Sequence, residues 1–443
     1  MFLLFAALAA GLPTLSLPEA LAYAHDHQPD LAAARARIDA VRADAEIPRS
    51  IYLPRLAATA QAFEATSNNT SASYLGAPGV DLPRIGGTRT APTGSGSASP
   101  STLAGVGLRQ EIYDFGRTAA LSAAADALVD AEQLRAQAVS LDVDALVAES
   151  FVAVRTSHDV AEAAEAAVRR AKAHHDLAEA GVRSGLRRPI ELTRAEADLA
   201  RAELGRIRAQ GGLASAQALF AAAVGVPDPA LDSRGEAPAP RGEPPLQQAL
   251  AQAAAHDPAL LQLEALIRAQ QARTQAIGDE LRPDLSLTAS LNGRAGGALP
   301  TAGTVPSGGG WLPEVPNWDV GVVFSWPLFD RSVLSRRDAS QARERAASAE
   351  LQSARQRLGA LVQQVILNLH TAREALPALQ AAARAAAGNQ AQAEARFNAG
   401  LGTSVELADA EALLTDAQIQ LAAGSFELFR ASVRLGRIVP EVQ

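Results

Sequence analysis

LPEALAYAHDHQPDL (residues 17–31) and LQQALAQAAAHDPAL (residues 246–260) decide the fold, because they are one pattern written twice. Leu17 to Leu56 aligns without a gap onto Leu246 to Leu285 at a constant offset of 229 residues, so that His27, Pro29 and Leu31 fall on His256, Pro258 and Leu260. Further along, Gly105, Ile112, Tyr113 and Asp114 match Gly321, Leu328, Phe329 and Asp330 at an offset of 216. Gly185, Glu191-Leu192 and Ala195-Glu196-Ala197 match Gly400, Glu406-Leu407 and Ala410-Glu411-Ala412 at 215. A duplicated order of elements predicts two structurally equivalent halves.

The halves read as repeats over 14–228 and 246–443, joined by a Pro-rich linker at 229–245 and preceded by a signal-peptide-like segment at 1–13. In that segment Phe2 to Leu12 is apolar but too short to span a bilayer as a helix, and Ala7-Leu8-Ala9 has the small-residue pattern of a cleavage site. The positive charge that usually opens an export leader is missing, which leaves open a start site misplaced upstream. No other apolar run reaches the ~18 residues of a helical span, so any membrane crossing has to use strands.

Composition agrees with long helices. Of 443 residues 48% are hydrophobic but only 4% aromatic, and Ala, Leu and Arg are the commonest. Alanine lets helices approach closely without building a bulky core. A net charge of −8 with interspersed signs gives no basic footprint for nucleic acid. The absence of cysteine removes disulfides, thiolate chemistry and thiolate metal ligation. His174-His175 are adjacent on a helix, do not share a face and have no third ligand at ligand spacing, so they read as solvated surface rather than a metal site. No nucleophile and base are arranged for catalysis, and no cofactor or metal is expected.

Within each half, a helix from 17 to about 50, locally interrupted at Pro29, gives way to period-two segments. Leu56 to Glu64 and Leu103 to Ile112 form one strand pair; Leu285 to Asn292 and Val320 to Leu328 form the other. Leu285, Leu287, Ala289 and Leu291 lie on one greasy face, as do Val320, Val322, Phe324 and Trp326. Trp318, Trp326 and Tyr113 suit a lipid interface. Loops rich in Gly, Ser, Thr and Pro, 65–102 and 293–317, connect the pairs. Four strands per chain cannot close a transmembrane barrel, which needs at least ~8; three chains supply twelve. Two soluble hairpins on a helical bundle are the alternative.

From Arg117 to Ala180 no Pro or Gly occurs, a helix of 64 residues and roughly 95 Å at ~1.5 Å per residue. Leu358, Val362, Val365, Leu369, Ala372, Leu376 and Leu379 alternate spacings of four and three, a coiled-coil seam. Pro377 is expected to kink that helix. Turns at 181–189 and 399–404 lead to return helices over 191–223 and 405–437.

The duplicated L-x-x-A-L and H-x-P-x-L openings, IYDFGR at 112–117 with WPLFDR at 326–331, and the turns RSGLRRPIELTRAEADL and RFNAGLGTSVELADAEALL together resemble the TolC-type outer-membrane efflux factors. The fold class this implies is mainly α with a small β part: long antiparallel coiled-coil helices plus four transmembrane strands per chain, in a homotrimer with a twelve-stranded barrel and a twelve-helix periplasmic barrel. The resemblance implies an outer-membrane channel extending into the periplasm, the exit duct of a tripartite pump that receives small molecules from an inner-membrane transporter through a periplasmic adaptor. It also implies that Glu406 and Asp409, three apart just after the second turn, form acidic rings attracting cations at the periplasmic gate. Glu191, Arg187, Arg188 and Arg194 become candidates for ionic links between hairpin tips, Arg194 standing where the second half has Asp409. Gly402 stands where some relatives carry a gating Arg, which puts that latch in doubt. Gly185 and Gly400 mark the turns where similar proteins meet the adaptor. Ordinary acidic capping of a helix start is the alternative for Glu406 and Asp409. A channel for type I secretion of polypeptides, and a soluble periplasmic coiled-coil adaptor, are the alternatives for the whole chain.

Overall fold

Proline sets the first break in each half. The computed structural model describes residues 13–66, 76–77, 80–81, 98–185, 187–227, 230–296 and 317–439. A two-residue strand β1 (Thr14–Leu15) leads into helix α1 (Leu17–His27), then α2 (Pro29–Arg49). Gln28 between them is extended (φ −69°, ψ 121°), as the residue before a proline prefers. Pro29 then occupies the first helical position, where its missing N–H costs nothing. After a 3₁₀ turn at Ser50–Tyr52 come strands β2 (Arg55–Thr66), β3 (Gly76–Ala77), β4 (Val80–Asp81) and β5 (Ala98–Tyr113). Helices α3 (Arg117–Arg183) and α4 (Pro189–Val224) complete the first copy.

The second copy follows β6 (Asp232–Ser233), which pairs in parallel with β1. It comprises α5 (Leu246–His256), α6 (Pro258–Asp279), β7 (Asp284–Gly296), β8 (Asn317–Ser325), α7 (Arg331–Asn398) and α8 (Ser404–Ile438). Asp257 is the extended link before Pro258 (φ −65°, ψ 117°), and its Oδ1 accepts from the Leu260 N–H at 3.0 Å. Its counterpart Gln28 instead donates to the Ala223 carbonyl at 2.9 Å, satisfying the end of α4. Helix α7 runs without a break through Pro377.

One compact unit, formed by the described residues within 1–38, 132–263 and 350–443, holds two apolar clusters. In the first, Ala20, Ala24, Val147, Phe151, Val154 and Phe220 are buried; in the second, Ala249, Ala253, Val362, Ile366, Leu369 and Leu435. These are the same positions: 229 separates the alanine pairs and 215 separates each of the other four. The duplication visible in the sequence is therefore a duplication of core contacts. Phe151 and Phe220 meet edge to face at 5.8 Å, an arrangement that adds to their area burial.

The other unit, residues 39–131 and 264–349, packs through small side chains. Ala120, Ala124, Ala127 and Ala131 repeat at spacings of four and three on α3 and are all buried, as are Ala265, Ala269 and Ala276 on α6. Its antiparallel sheet has the order β2-β5-β7-β8. Register places Leu56 opposite Leu108, Val106 opposite Leu291, Leu287 opposite Val322 and Leu285 opposite Phe324, all on one face. The opposite face pairs Glu111 with Ser286, Arg109 with Thr288 and Ser290 with Asp319.

Exposure inverts the pattern of a soluble sheet. Leu56, Val320 and Val322 are 70%, 65% and 62% exposed, whereas Ser286 and Ser290 on the polar face are buried. β8 ends at Ser325, short of the expected Leu328, because Pro327 has no N–H for a ladder. The remaining parts of the expected loops 65–102 and 293–317, and the leader-like segment through Leu12, lie outside the described residues.

The sheet hands over to helix at Asp114. Its buried carboxylate accepts from the Tyr52 hydroxyl (2.8 Å), the Gly116 N–H (3.2 Å) and the Thr118 N–H (2.7 Å). Phe115 and Gly116 take left-handed φ values of 53° and 108°, and Arg282 donates to the Phe115 carbonyl at 2.7 Å. In the second copy, Asp330 accepts from the Ser332 N–H at 2.7 Å.

Candidate functional site: the hairpin tips and the cleft between them

Each long helix reverses through a glycine. Gly185 and Gly400 both have φ of +74°, the left-handed conformation that ends helices, and a Cβ at either position would meet open space. At the first turn, Arg187 N–H bonds the Gly181 carbonyl; at the second, the Leu401 and Gly402 N–H groups bond the Arg396 carbonyl. Gly402 is tight for a different reason, since a Cβ there would lie 3.1 Å from the Phe397 nitrogen.

The return helices start differently. Pro189 opens α4 after an extended Arg188. Thr403 caps α8: its hydroxyl accepts from the Glu406 N–H at 3.2 Å, and the Glu406 carboxylate accepts from the Thr403 N–H at 3.3 Å. Glu406 thus completes a capping box. Asp409 lies one turn further and lines a cleft of about 970 Å³ between α3, α4 and α8.

That cleft gathers four of the six charged residues singled out at the tips. Arg187, Glu191, Arg194 and Asp409 all line it, with Arg201 and Arg208 one and two heptads beyond Arg194. Arg187 reaches Glu191 at 3.5 Å, an ion pair within one hairpin, while its guanidinium lies 4.6 Å from the Phe397 ring of α7. The contact of Arg187 with the second hairpin is therefore cation–π.

His174 corrects the reading of His174-His175 as solvated surface. Its ring stacks on Phe397 (5.5 Å between centroids, 16° between planes), and its Nε2 stands 3.4 Å from Glu411 Oε1 on α8. Burial pushes the His174 imidazole down in pKa and pushes the Glu411 carboxyl up to about 7. Sequence reasoning missed this pair because its members are 237 residues apart and belong to different hairpins. The repeat carried no signal for it either: Glu411 falls on Glu196, which is exposed.

With this geometry in view, the relatives are informative. The model of the outer membrane efflux protein family matches residues 21–226 and 249–439, and the chain belongs to that family. It is a component of an outer-membrane channel, not an enzyme. Among curated proteins no match is found. Solved structures share its fold. The outer-membrane channel OprN is 21% identical with a TM-score of 0.74, covering 96% of this chain and 89% of its own. The Campylobacter jejuni CmeC outer membrane channel is 17% identical with a TM-score of 0.77, covering 96% and 85%. The open state of the Neisseria gonorrhoeae MtrE outer membrane channel is 19% identical with a TM-score of 0.72, covering 96% and 88%. The TolC-like architecture of long helical hairpins with a small strand part is thus the fold of this protein.

Proposed function

We propose that three copies of this chain close a twelve-stranded barrel in the outer membrane, continue it as a twelve-helix tunnel in the periplasm, and serve as the exit duct of a tripartite efflux pump. Small molecules reach it from an inner-membrane transporter through a periplasmic adaptor. Each repeat, 14–228 and 246–443, contributes two strands and one helical hairpin, with 229–245 as the linker.

The observation that carries this reading is the four-stranded sheet. Its outer strands β2 and β8 are each paired on one side only among the described residues, and its exposed face is apolar. Lipid satisfies no strand edge, so neighbouring copies have to supply the missing ladders. Trp318 and Trp326, 74% and 56% exposed, stand eight residues apart, about 27 Å at ~3.4 Å per residue. At the ~35–45° strand tilt of outer-membrane barrels this length projects to about 20 Å, most of the ~25 Å apolar band that aromatic girdles flank.

At the periplasmic end, threefold symmetry repeats Glu406 and Asp409 as acidic rings that favour cations. Glu191, Arg187, Arg188 and Arg194 tune the contacts among tips, and the turns at Gly185 and Gly400 present open backbone to the adaptor. Because Glu406 also caps α8, the ring is tested on Asp409 alone. Single-channel currents of the detergent-purified protein in a planar bilayer are expected to be cation-selective and to lose that selectivity in Asp409→Asn. A protein that extracts without detergent and gives no current would overturn the channel.

A further inference from the structure

Glu411 sits in the cleft with charges on three sides and a histidine as its closest basic partner among the described ion pairs. On α3, Arg170 faces it but donates to Thr415 Oγ1 at 3.0 Å, and His174 approaches at 3.4 Å. On α4, Asp198 faces it while pairing with Arg201 at 2.9 Å. On α7, Glu394 faces it and accepts from Gln390 at 2.9 Å. Arg187 approaches from the first turn, on the His174 side, held over Phe397.

The second repeat makes this arrangement single rather than double. Counting 215 from His174 leads to Asn389, and 215 back from Glu411 leads to Glu196. The equivalent pair in the other copy therefore has no titrating base, and its glutamate is exposed. The side-chain surfaces of Glu411 and His174 are 14% and 23% exposed, so both have lost most of their water where α8 meets α3.

We propose that Glu411 and His174 form a proton-operated clasp between the two hairpins, which takes up a proton on Glu411 when α8 closes on α3 and releases it when they part. The inference rests on the channel reading only for its consequence, the opening of a conduit; the clasp itself needs only the two hairpins.

The sign follows from the chemistry of each group. In the closed contact Glu411 holds its proton up to about pH 7, above the ordinary carboxylate range, because burial disfavours its charge more than Arg170 favours it, and Glu394 and Asp198 add repulsion. Closure is therefore strongest where Glu411 is protonated and weakens as pH rises toward 7, by up to about tenfold per pH unit. His174 acts oppositely: burial and Arg187 disfavour its cation more than Glu394 and Asp198 favour it. Below the ordinary histidine value of ~6.5 the proton given up by His174 on closure offsets the one taken up by Glu411, so closure levels off there. The clasp is therefore tight and nearly level in mild acid and slackens through Glu411 as pH rises to about 7.

The chain has no cysteine, so Leu177→Cys on α3 and Leu413→Cys on α8, both exposed positions, place spin labels without background. Distances are read by pulsed electron resonance on the full-length assembled protein, diluted with unlabelled chains, between pH 5.5 and 8.5. The short-distance population is expected to be level in mild acid and to fall severalfold as pH rises to about 7, to stay high on the alkaline side in Glu411→Gln, and to begin its fall at lower pH in His174→Gln. Should Glu411→Gln fail to fold, Glu411→Asp is expected to shift the midpoint. Distances independent of pH, or a wild-type profile in the Glu411 variants, would overturn the clasp. A pH-dependent distance without current in the bilayer would remove the channel and keep the clasp; current with pH-independent distances would do the reverse.

Discussion

Tyr52 donates its hydroxyl to the Asp114 carboxylate at 2.8 Å, fixing the end of the first helical segment against the turn that converts β5 into α3. Asp114 is only 2% exposed and also serves two backbone N–H groups. Asp114→Ala strands those donors and is expected to lower the stability of this unit by about 2–4 kcal/mol, whereas Tyr52→Phe is expected to cost about 1–2. Denaturant unfolding of the detergent-solubilised protein distinguishes the two; equal losses would contradict the hydrogen-bond account.

The face assignment of the sheet predicts an asymmetry between neighbouring positions. Val322→Arg places a cation on the apolar face and is expected to cost about 2–4 kcal/mol at mid-membrane depth. Thr59→Arg, on the polar face of β2, is expected to leave insertion unchanged. Heat-modifiable migration of the assembled protein reads both, and equal sensitivity of the two would reverse the assignment.

Helix α8 depends on its cap. Thr403→Ala removes the hydroxyl that accepts from Glu406 N–H and is expected to cost about 1 kcal/mol, seen as faster hydrogen exchange in the first turn with little change near Leu428. Thr403→Ser is expected to restore protection.

Losses at equivalent core positions are predicted to follow the volume removed. Phe151→Ala opens a large cavity around Phe220 and is expected to cost about 3–5 kcal/mol. Ile366→Val, at the matching position of the second cluster, is expected to cost about 0.5–1.5. Thermal unfolding measures the difference, and comparable losses would show that the clusters do not pack as described.

Periodicity made much of the fold legible. Pro29 and Pro258 mark the breaks between helices, Gly225 in the left-handed conformation ends α4, and Leu285 to Leu291 show which face of β7 is apolar. All of these signals are local. Of the charged tip residues marked by the sequence, Arg187, Glu191, Arg194 and Asp409 line one cleft, which Glu406 and Arg188 do not. Their partners were not legible. Nothing local to Arg187 indicates Phe397, and His174 reads as surface until α8 is laid against it, because a side chain's solvent access depends on helices distant in sequence.

The outward apolar face of the sheet also bears on how the protein is made. A single folded copy would carry Leu56, Val320, Val322, Phe324 and two tryptophans into water beside two open strand edges, a template for aggregation. Finishing the sheet, meeting sister chains and entering lipid are then one concerted event, and the yield of native protein should rise with the local concentration of chains arriving at the membrane rather than with the stability of any one of them.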